Sequence, residues 1–555
     1  MFARCTLAVV LAVAPVAVAA DLPDFQPGIT PQVYFDLDLD TGWSAASHRR
    51  RGPVLSALVT DHDAKWLRLT FADVHLGAPP KGGSKTLLKM TSLADGAVQT
   101  MEAQHLAQWQ YTSAYFNGQA VLVQVIADPG AEPSRVIING AWKGVTDGNV
   151  AMSLCSGADQ RVLATDPRIG RTFPLGCTAF LIDDAGRSML TAGHCGDPGM
   201  IDVIMFNVPM SAPGGGYQFP PPQHQYAVDE DSIQRPGFNS LGNDWTYFGL
   251  FPNSNTGLRA HVAQESWFVT GEPPVPASQN VTVTGYGQTS LPVPNSWNGV
   301  LKTHDGPYTN LVGNTIRHRV DTTAGNSGSP IIDIASGIAF GIHTNGGCTI
   351  GGQTNAGMSI MNISLQNAIA NPQGESIPQP EIVMSFPQGL PDFLNPAGTE
   401  ILVEVLVNPG FMLVPGSAIL HVDSGSGWEE LPMTDLGDHL FLGEVPALEC
   451  GTDVRMYVTA EAVVGETYRL PPTAPTSVIQ RFVADDSVVV FADDFETEMG
   501  WTVINDPFLA DGNWERGIPF GNGSYGDPVH DADGSSRCYL TANRLGESGV
   551  VGGAT

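Results

Sequence analysis

A histidine set among small residues and, far downstream, a serine flanked by glycines are the side chains here best suited to nucleophilic chemistry. The first is His194, in Leu190-Thr191-Ala192-Gly193-His194-Cys195. The second is Ser327, in Asp321-Thr322-Thr323-Ala324-Gly325-Asn326-Ser327-Gly328-Ser329-Pro330. A tight glycine-bordered loop can present a serine hydroxyl outward. It can also aim the backbone N–H groups of Gly325 and Ser327 at one point, as an oxyanion needs. Ala192 and Gly193 leave room for a substrate beside an imidazole acting as general base. An aspartate between the two segments would complete a Ser-His-Asp device.

Both segments resemble the histidine and serine motifs of chymotrypsin-fold (trypsin-like) serine endopeptidases. The elbow of an α/β-hydrolase fits less well, because position 329 is serine instead of glycine and no strand–helix alternation surrounds it. The resemblance implies an all-β fold of two packed six-stranded barrels, a protein or peptide substrate, no cofactor, and the chain order His, Asp, Ser. Asp244 then takes the third role. It opens the apolar run Trp245-Thr246-Tyr247-Phe248, where a carboxylate is costly to bury without a partner such as an imidazole N–H. Asp202, Asp229 and Asp231 compete for the role but lie in polar or Pro-rich stretches.

Two specificities are open. Asp321 stands six residues before the serine, where trypsin-like enzymes place the carboxylate that binds Arg or Lys. Thr322 and His343, the latter in Gly341-Ile342-His343-Thr344, resemble the threonine and pocket histidine with which bacterial glutamyl endopeptidases hold a substrate carboxylate. The form Asn-Ser-Gly-Ser-Pro is also closer to that group. Asn326 replaces the aspartate that pairs with a newly cut N-terminus in trypsin, so activation by that ion pair is not expected. A protease-like binding protein without activity is the rival class, and a missing triad residue would be its sign.

Cys5 falls in the leader, and six further cysteines suit disulfides in an oxidising compartment. The resemblance implies Cys177–Cys195, and Cys155–Cys348 is a second candidate; Cys450 and Cys538 are left unassigned. No CxxC or HxxxH spacing suggests a metal site. Two aspartate clusters, Asp36/Asp38/Asp40 and Asp527/Asp531/Asp533, read as solvated carboxylates.

These motifs need a scaffold, and the 555-residue chain is too long for one domain. Residues 1–20 read as a signal peptide, with Arg4, an apolar run and small residues at Ala17-Val18-Ala19-Ala20. Export to a secreted or extracellular location follows, with no membrane span. Residues 21–150 alternate apolar and polar side chains and read as a β-sandwich. It is loosely similar to the leading regions of lysyl-endopeptidase-type precursors, and either a removable propeptide or a permanent accessory domain. Residues 151–372 hold the protease-like region, with a terminal helix around Leu365–Ala370, and 373–380 read as a linker. Residues 381–485 read as an immunoglobulin- or fibronectin-like sandwich, and 486–555 as the start of a jelly-roll-like domain, with protein-surface or carbohydrate ligands as candidate partners. With 26 Lys and Arg against 56 Asp and Glu, the net charge of −30 argues against nucleic acid as a partner. The basic run His48-Arg49-Arg50-Arg51 reads as a solvated loop.

Overall fold

The computed structural model describes residues 32–541 except 45–49, 145–151, 198, 237–238, 277–278, 290–291, 464–466, 487–492, 506–512, 521–529 and 532–534. The signal-peptide stretch, His48, Arg49, Asp527 and Asp533 fall outside the described residues. Strands dominate. Among the described residues no helix is long and apolar enough to cross a membrane.

Alternating side chains produce the leading sandwich. Ala120–Ala127 buries Val121, Val123, Val125 and Ala127 on one face, and Leu87–Ser92 repeats the pattern with Leu88 and Met90. Such a period of two lets each strand bury one face. Two four-stranded sheets result, ordered Gln32–Asp40, Arg135–Gly144, Trp66–His75, Phe116–Asn117 and Gly52–Thr60, Ala120–Ala127, Leu87–Ser92, Val98–Met101. Asp36, Asp38 and Asp40 share the exposed face of their strand, and Arg135 Nε donates to Asp40 at 2.9 Å.

Residues 169–359 hold the expected pair of antiparallel barrels. The first sheet orders six strands from Gln225–Ala227 through Ile201–Met205, Ile169–Pro174, Thr178–Leu181 and Met189–Thr191 to Thr246–Phe248. A Val228–Leu250 bridge joins its two ends. In the second barrel Lys302–Val312 pairs with both Asn280–Gly285 and Thr315–His318, closing a ring completed by Pro330–Asp333, Ala339–Asn345 and Asn355–Ser359. The terminal helix spans Ile363–Ala370, with the Asn362 side chain accepting from the N–H groups of Ser364 and Leu365.

Sandwich and first barrel share one core. Tyr115 lies 4.8 Å from Phe173 and 5.1 Å from Phe219 between ring centroids, with Trp66 against all three. Three side-chain amides each bridge a backbone donor and acceptor across the join. Gln225 takes Tyr115 N and gives to Tyr115 O, both at 2.9 Å. Asn255 takes Thr100 N at 2.7 Å and gives to Val98 O at 2.6 Å. Asn117 takes Phe219 N and gives to Phe219 O, both at 2.9 Å.

The buried Arg68 adds an ion pair with Asp202, and its Nη1 donates to the Tyr115 hydroxyl at 2.8 Å. Removing one partner strands the other charge, so Arg68→Ala is expected to destabilise this joint body by about 3–5 kcal/mol. A urea melt followed by tryptophan fluorescence checks this; an unchanged midpoint would show that the pair holds nothing together.

The chain divides into two compact units. One comprises residues up to 390 with 400–444 and 455–479. Beyond the barrels it includes strand pairs such as Ile382–Ser385 with residues 404–407 and Ile419–Asp423 with Glu429–Pro432. The other comprises 391–399, 445–454 and 480–555, and contains the antiparallel pair Trp514–Gly517 and Cys538–Thr541.

Candidate active site

The fully buried strand Met189–Thr191 delivers the histidine. His194 follows it in a 3-10 turn, Gly193–Cys195, in which Cys195 N bonds back to Ala192 O at 3.1 Å. Glycine is needed at 193, where a Cβ would sit 2.7 Å from Asp244 Oδ1. Asp244, 4% exposed, grips the histidine twice: Oδ1 accepts from His194 N at 2.8 Å, and Oδ2 meets Nδ1 at 2.8 Å. A carboxylate only accepts, so Nδ1 carries a proton and the neutral ring keeps its lone pair on Nε2. That nitrogen is buried and has no hydrogen-bond partner among the described residues.

The competing aspartates have other duties. Asp202 pairs with Arg68, while Asp229 accepts from Glu375 N at 2.7 Å and from Asp231 N at 3.2 Å. Asp231 lies in the 3-10 turn Glu230–Ser232.

Ser327 is carried between Thr322–Thr323 and Pro330–Asp333 on a loop with two left-handed glycines, Gly325 at φ +96° and Gly328 at φ +86°. A Cβ at Gly328 would lie 2.0 Å from Thr178 O and 3.1 Å from Ala192 N, so the serine loop presses directly against the approach to His194. Asn326 N donates to Thr323 O, Gly328 N to His343 O and Ser329 N to Asn326 O, at 3.0, 2.8 and 2.9 Å. The N–H groups of Gly325 and Ser327 donate to no group among the described residues.

His343 runs alongside the serine, its N–H donating to Ser329 O at 2.8 Å. Burial holds its ring well below the usual histidine range, with His318 and His194 adding to the effect. Burial likewise pushes His318 down to about 3. Both rings are therefore neutral, with one proton each, and the contacts fix where it sits. Val320 N–H donates to His318 Nδ1 at 3.3 Å, so His318 carries its proton on Nε2. His318 Nε2 is 3.1 Å from His343 Nδ1 and donates to it. His343 is left with its proton on Nε2 as a donor.

Thr322 Oγ1 accepts from Asn355 Nδ2 at 3.0 Å, keeping its own hydroxyl proton to give. Asp321 is not a free pocket carboxylate. Its side chain has 0% exposure, and its oxygens accept from Cys155 N at 2.7 Å and Gln160 N at 3.1 Å. Asp321 thus binds the backbone of the 155–160 segment, a use the trypsin-like reading does not include.

Disulfides link Cys177 to Cys195 and Cys155 to Cys348. The first brings sulfur near the His194 ring, but as a disulfide it offers no thiolate to a metal. Cys450 is exposed, and Cys538 opens its strand.

Three contributors escaped sequence reasoning. His318 sits at an inward position of Thr315–His318, whose alternation is its one sequence signal. Asn355 bonds Val320 O at 2.7 Å as well as Thr322. Arg161, 2% exposed, reaches Asn326 Oδ1 at 2.9 Å.

Residues 167–364 match the model of the family described as Trypsin. Similar solved structures include a Glu endopeptidase in complex with MPD, at 16% identity and TM-score 0.30 over 39% of this chain and 98% of that one. The thermostable serine protease AL20 from an extremophilic microorganism aligns at 18% identity and TM-score 0.29 over 37% of this chain and 96% of that one. Protease Anisep from Arthrobacter nicotinovorans gives 18% and 0.29 over 38% and 99% respectively. Among curated proteins nothing matches.

Proposed function

For this chain, which carries a trypsin-like serine endopeptidase domain, we propose a Ser327-His194-Asp244 triad, glutamate as the favoured residue before the cut, and export from the cell. The double hold of Asp244 on His194 carries the catalytic assignment, since it leaves Nε2 as the base. Nε2 takes the Ser327 hydroxyl proton as Oγ attacks the substrate carbonyl. The oxyanion then meets the N–H groups of Gly325 and Ser327. The C–N bond breaks as His194 returns the proton to the leaving amine, giving an acyl-enzyme. Water attacks the ester, His194 takes a proton from it, and Oγ regains a proton as the acid product leaves.

Glutamate preference is supported by the neutral His343 with its donor Nε2–H and by the hydroxyl proton of Thr322. Both are donors, which suits an acidic side chain. The two disulfides suit the oxidising setting of an exported protein. The shared core and amide bridges favour a leading sandwich that stays with the enzyme over a removable propeptide. A carbohydrate ligand for the C-terminal unit has support in the half-exposed Trp501 and Trp514, which line an apolar hollow.

Digestion of a positional peptide library by the exported protein, with Ser327→Ala beside it, tests the reading. Cuts after Glu that vanish in Ser327→Ala are expected. Cuts after Arg or Lys would overturn the His343 pocket. Equal patterns in both proteins would overturn catalysis and leave a binding role.

A further inference from the structure

The segment 152–163, between the sandwich and the first barrel strand, does not pass by the second barrel; it is built into it. Met152 and Ser153 pair with Thr323 and Thr322 as a short ladder. Cys155 is tied to Cys348, Asp321 receives the Cys155 and Gln160 N–H groups, and Val162 and Leu163 pair with Thr303 and Lys302.

Within it Arg161 uses all five guanidinium N–H groups. Nε and Nη2 donate to Asp159 at 2.8 and 2.5 Å, and Nη2 also donates to Gln288 O at 2.6 Å. Nη1 donates to Thr323 Oγ1 at 2.8 Å and to Asn326 Oδ1 at 2.9 Å. Asp159 balances the charge, so the residue next to the serine need only be a neutral acceptor, as Asn326 is. That side-chain oxygen also accepts from Thr323 N at 3.1 Å, closing the turn on which Gly325 lies. The fit is tight: a Cβ at Gly287 would come 2.0 Å from Asn326 Oδ1 and 2.3 Å from Arg161 Nη1. Lys302 Nζ fixes that neighbour from below by donating to Gly287 O at 2.6 Å.

We infer that Arg161 is a positioning residue for hydrolysis: through Asn326 it holds the 323–327 loop in the form that keeps the Gly325 and Ser327 N–H groups directed at an oxyanion. The inference rests on the serine-protease reading above. It makes the working loop a product of the intact chain, with a strap residue as its support and no cut end required.

The test uses the full chain carrying Asn326→Ala, which leaves the Arg161–Asp159 pair whole, and separately Arg161→Lys, which keeps the charge but has too few donors in the wrong geometry. Steady-state rates on a peptide substrate, inhibition by a peptide boronate that forms a tetrahedral adduct, and thermal melting are measured for each. Asn326→Ala is expected to lower kcat about 10- to 100-fold, less than outright loss of an oxyanion donor. KM should stay within about threefold and boronate affinity fall in step with kcat, as for an interaction made only in the transition state. Arg161→Lys should move in the same direction. A variant that melts normally with kcat within about twofold of the parent, or that loses only KM, overturns the inference. Ser327→Ala separates the two levels: if it still cuts peptides the serine-protease reading fails, and if it is inactive while Asn326→Ala and Arg161→Lys keep kcat within about twofold of the parent the Arg161 role fails.

Discussion

Asp244→Asn lowers kcat by about four orders of magnitude while leaving the melting temperature nearly unchanged. The reason lies in the double contact. His194 N–H can only donate, and it points at Oδ1. An asparagine must therefore place its carbonyl oxygen there, which turns its NH₂ toward Nδ1. Nδ1 then has to accept, and the ring proton moves to Nε2. A protonated Nε2 cannot take the serine proton, so the variant holds its geometry and loses its base. Rates on an activated ester and a peptide, with a melt on the same sample, check this. A folded variant within tenfold of the parent would remove Asp244 from the triad.

His343→Ala is expected to reduce selectivity for Glu over Gln by about 10- to 100-fold, as loss of a hydrogen bond to a charged group implies. Reaction of Ser327 with an active-site titrant should persist, because the variant leaves His194 and Asp244 in place. The pH dependence separates two forms of recognition. Burial depresses the His343 pKa, so the ring is already neutral throughout the ordinary histidine range. Selectivity carried by its neutral N–H therefore stays level from about pH 6 to 8. Selectivity carried by an imidazolium would fall as pH rises through about 6.5. Competition between Glu and Gln peptides across that range decides, and unchanged selectivity in His343→Ala removes the residue from the pocket.

What was legible in the sequence was local. The His194 and Ser327 segments are short runs whose glycines and small residues have immediate steric reasons, visible in the Cβ clashes at Gly193 and Gly328. The strands of the sandwich announce themselves by alternation, as Ala120–Ala127 does. What stayed hidden depends on contacts between distant segments that obey no period. Arg161 and Asn326 are 165 residues apart, and nothing near either names the other. Asp321 stands at the spacing of a basic-residue pocket, yet is closed off by N–H groups of a segment far upstream. The sandwich–barrel join escaped for another reason: Gln225, Asn255 and Asn117 bond backbone atoms, so their partners' side chains carry no trace of it.

The strap also sets an order on biosynthesis. Chains emerge N-terminus first, and domains tend to fold as they appear. Asp159, Arg161, His194 and Asp244 are all made before the loop they serve, and Cys155 waits for Cys348, 193 residues later. A partly synthesised chain can thus own a complete sandwich, a first barrel and a poised base while having nothing to attack with. Reactivity arrives only once the serine loop and the closing strands of the second barrel, up to Ser359, have been made.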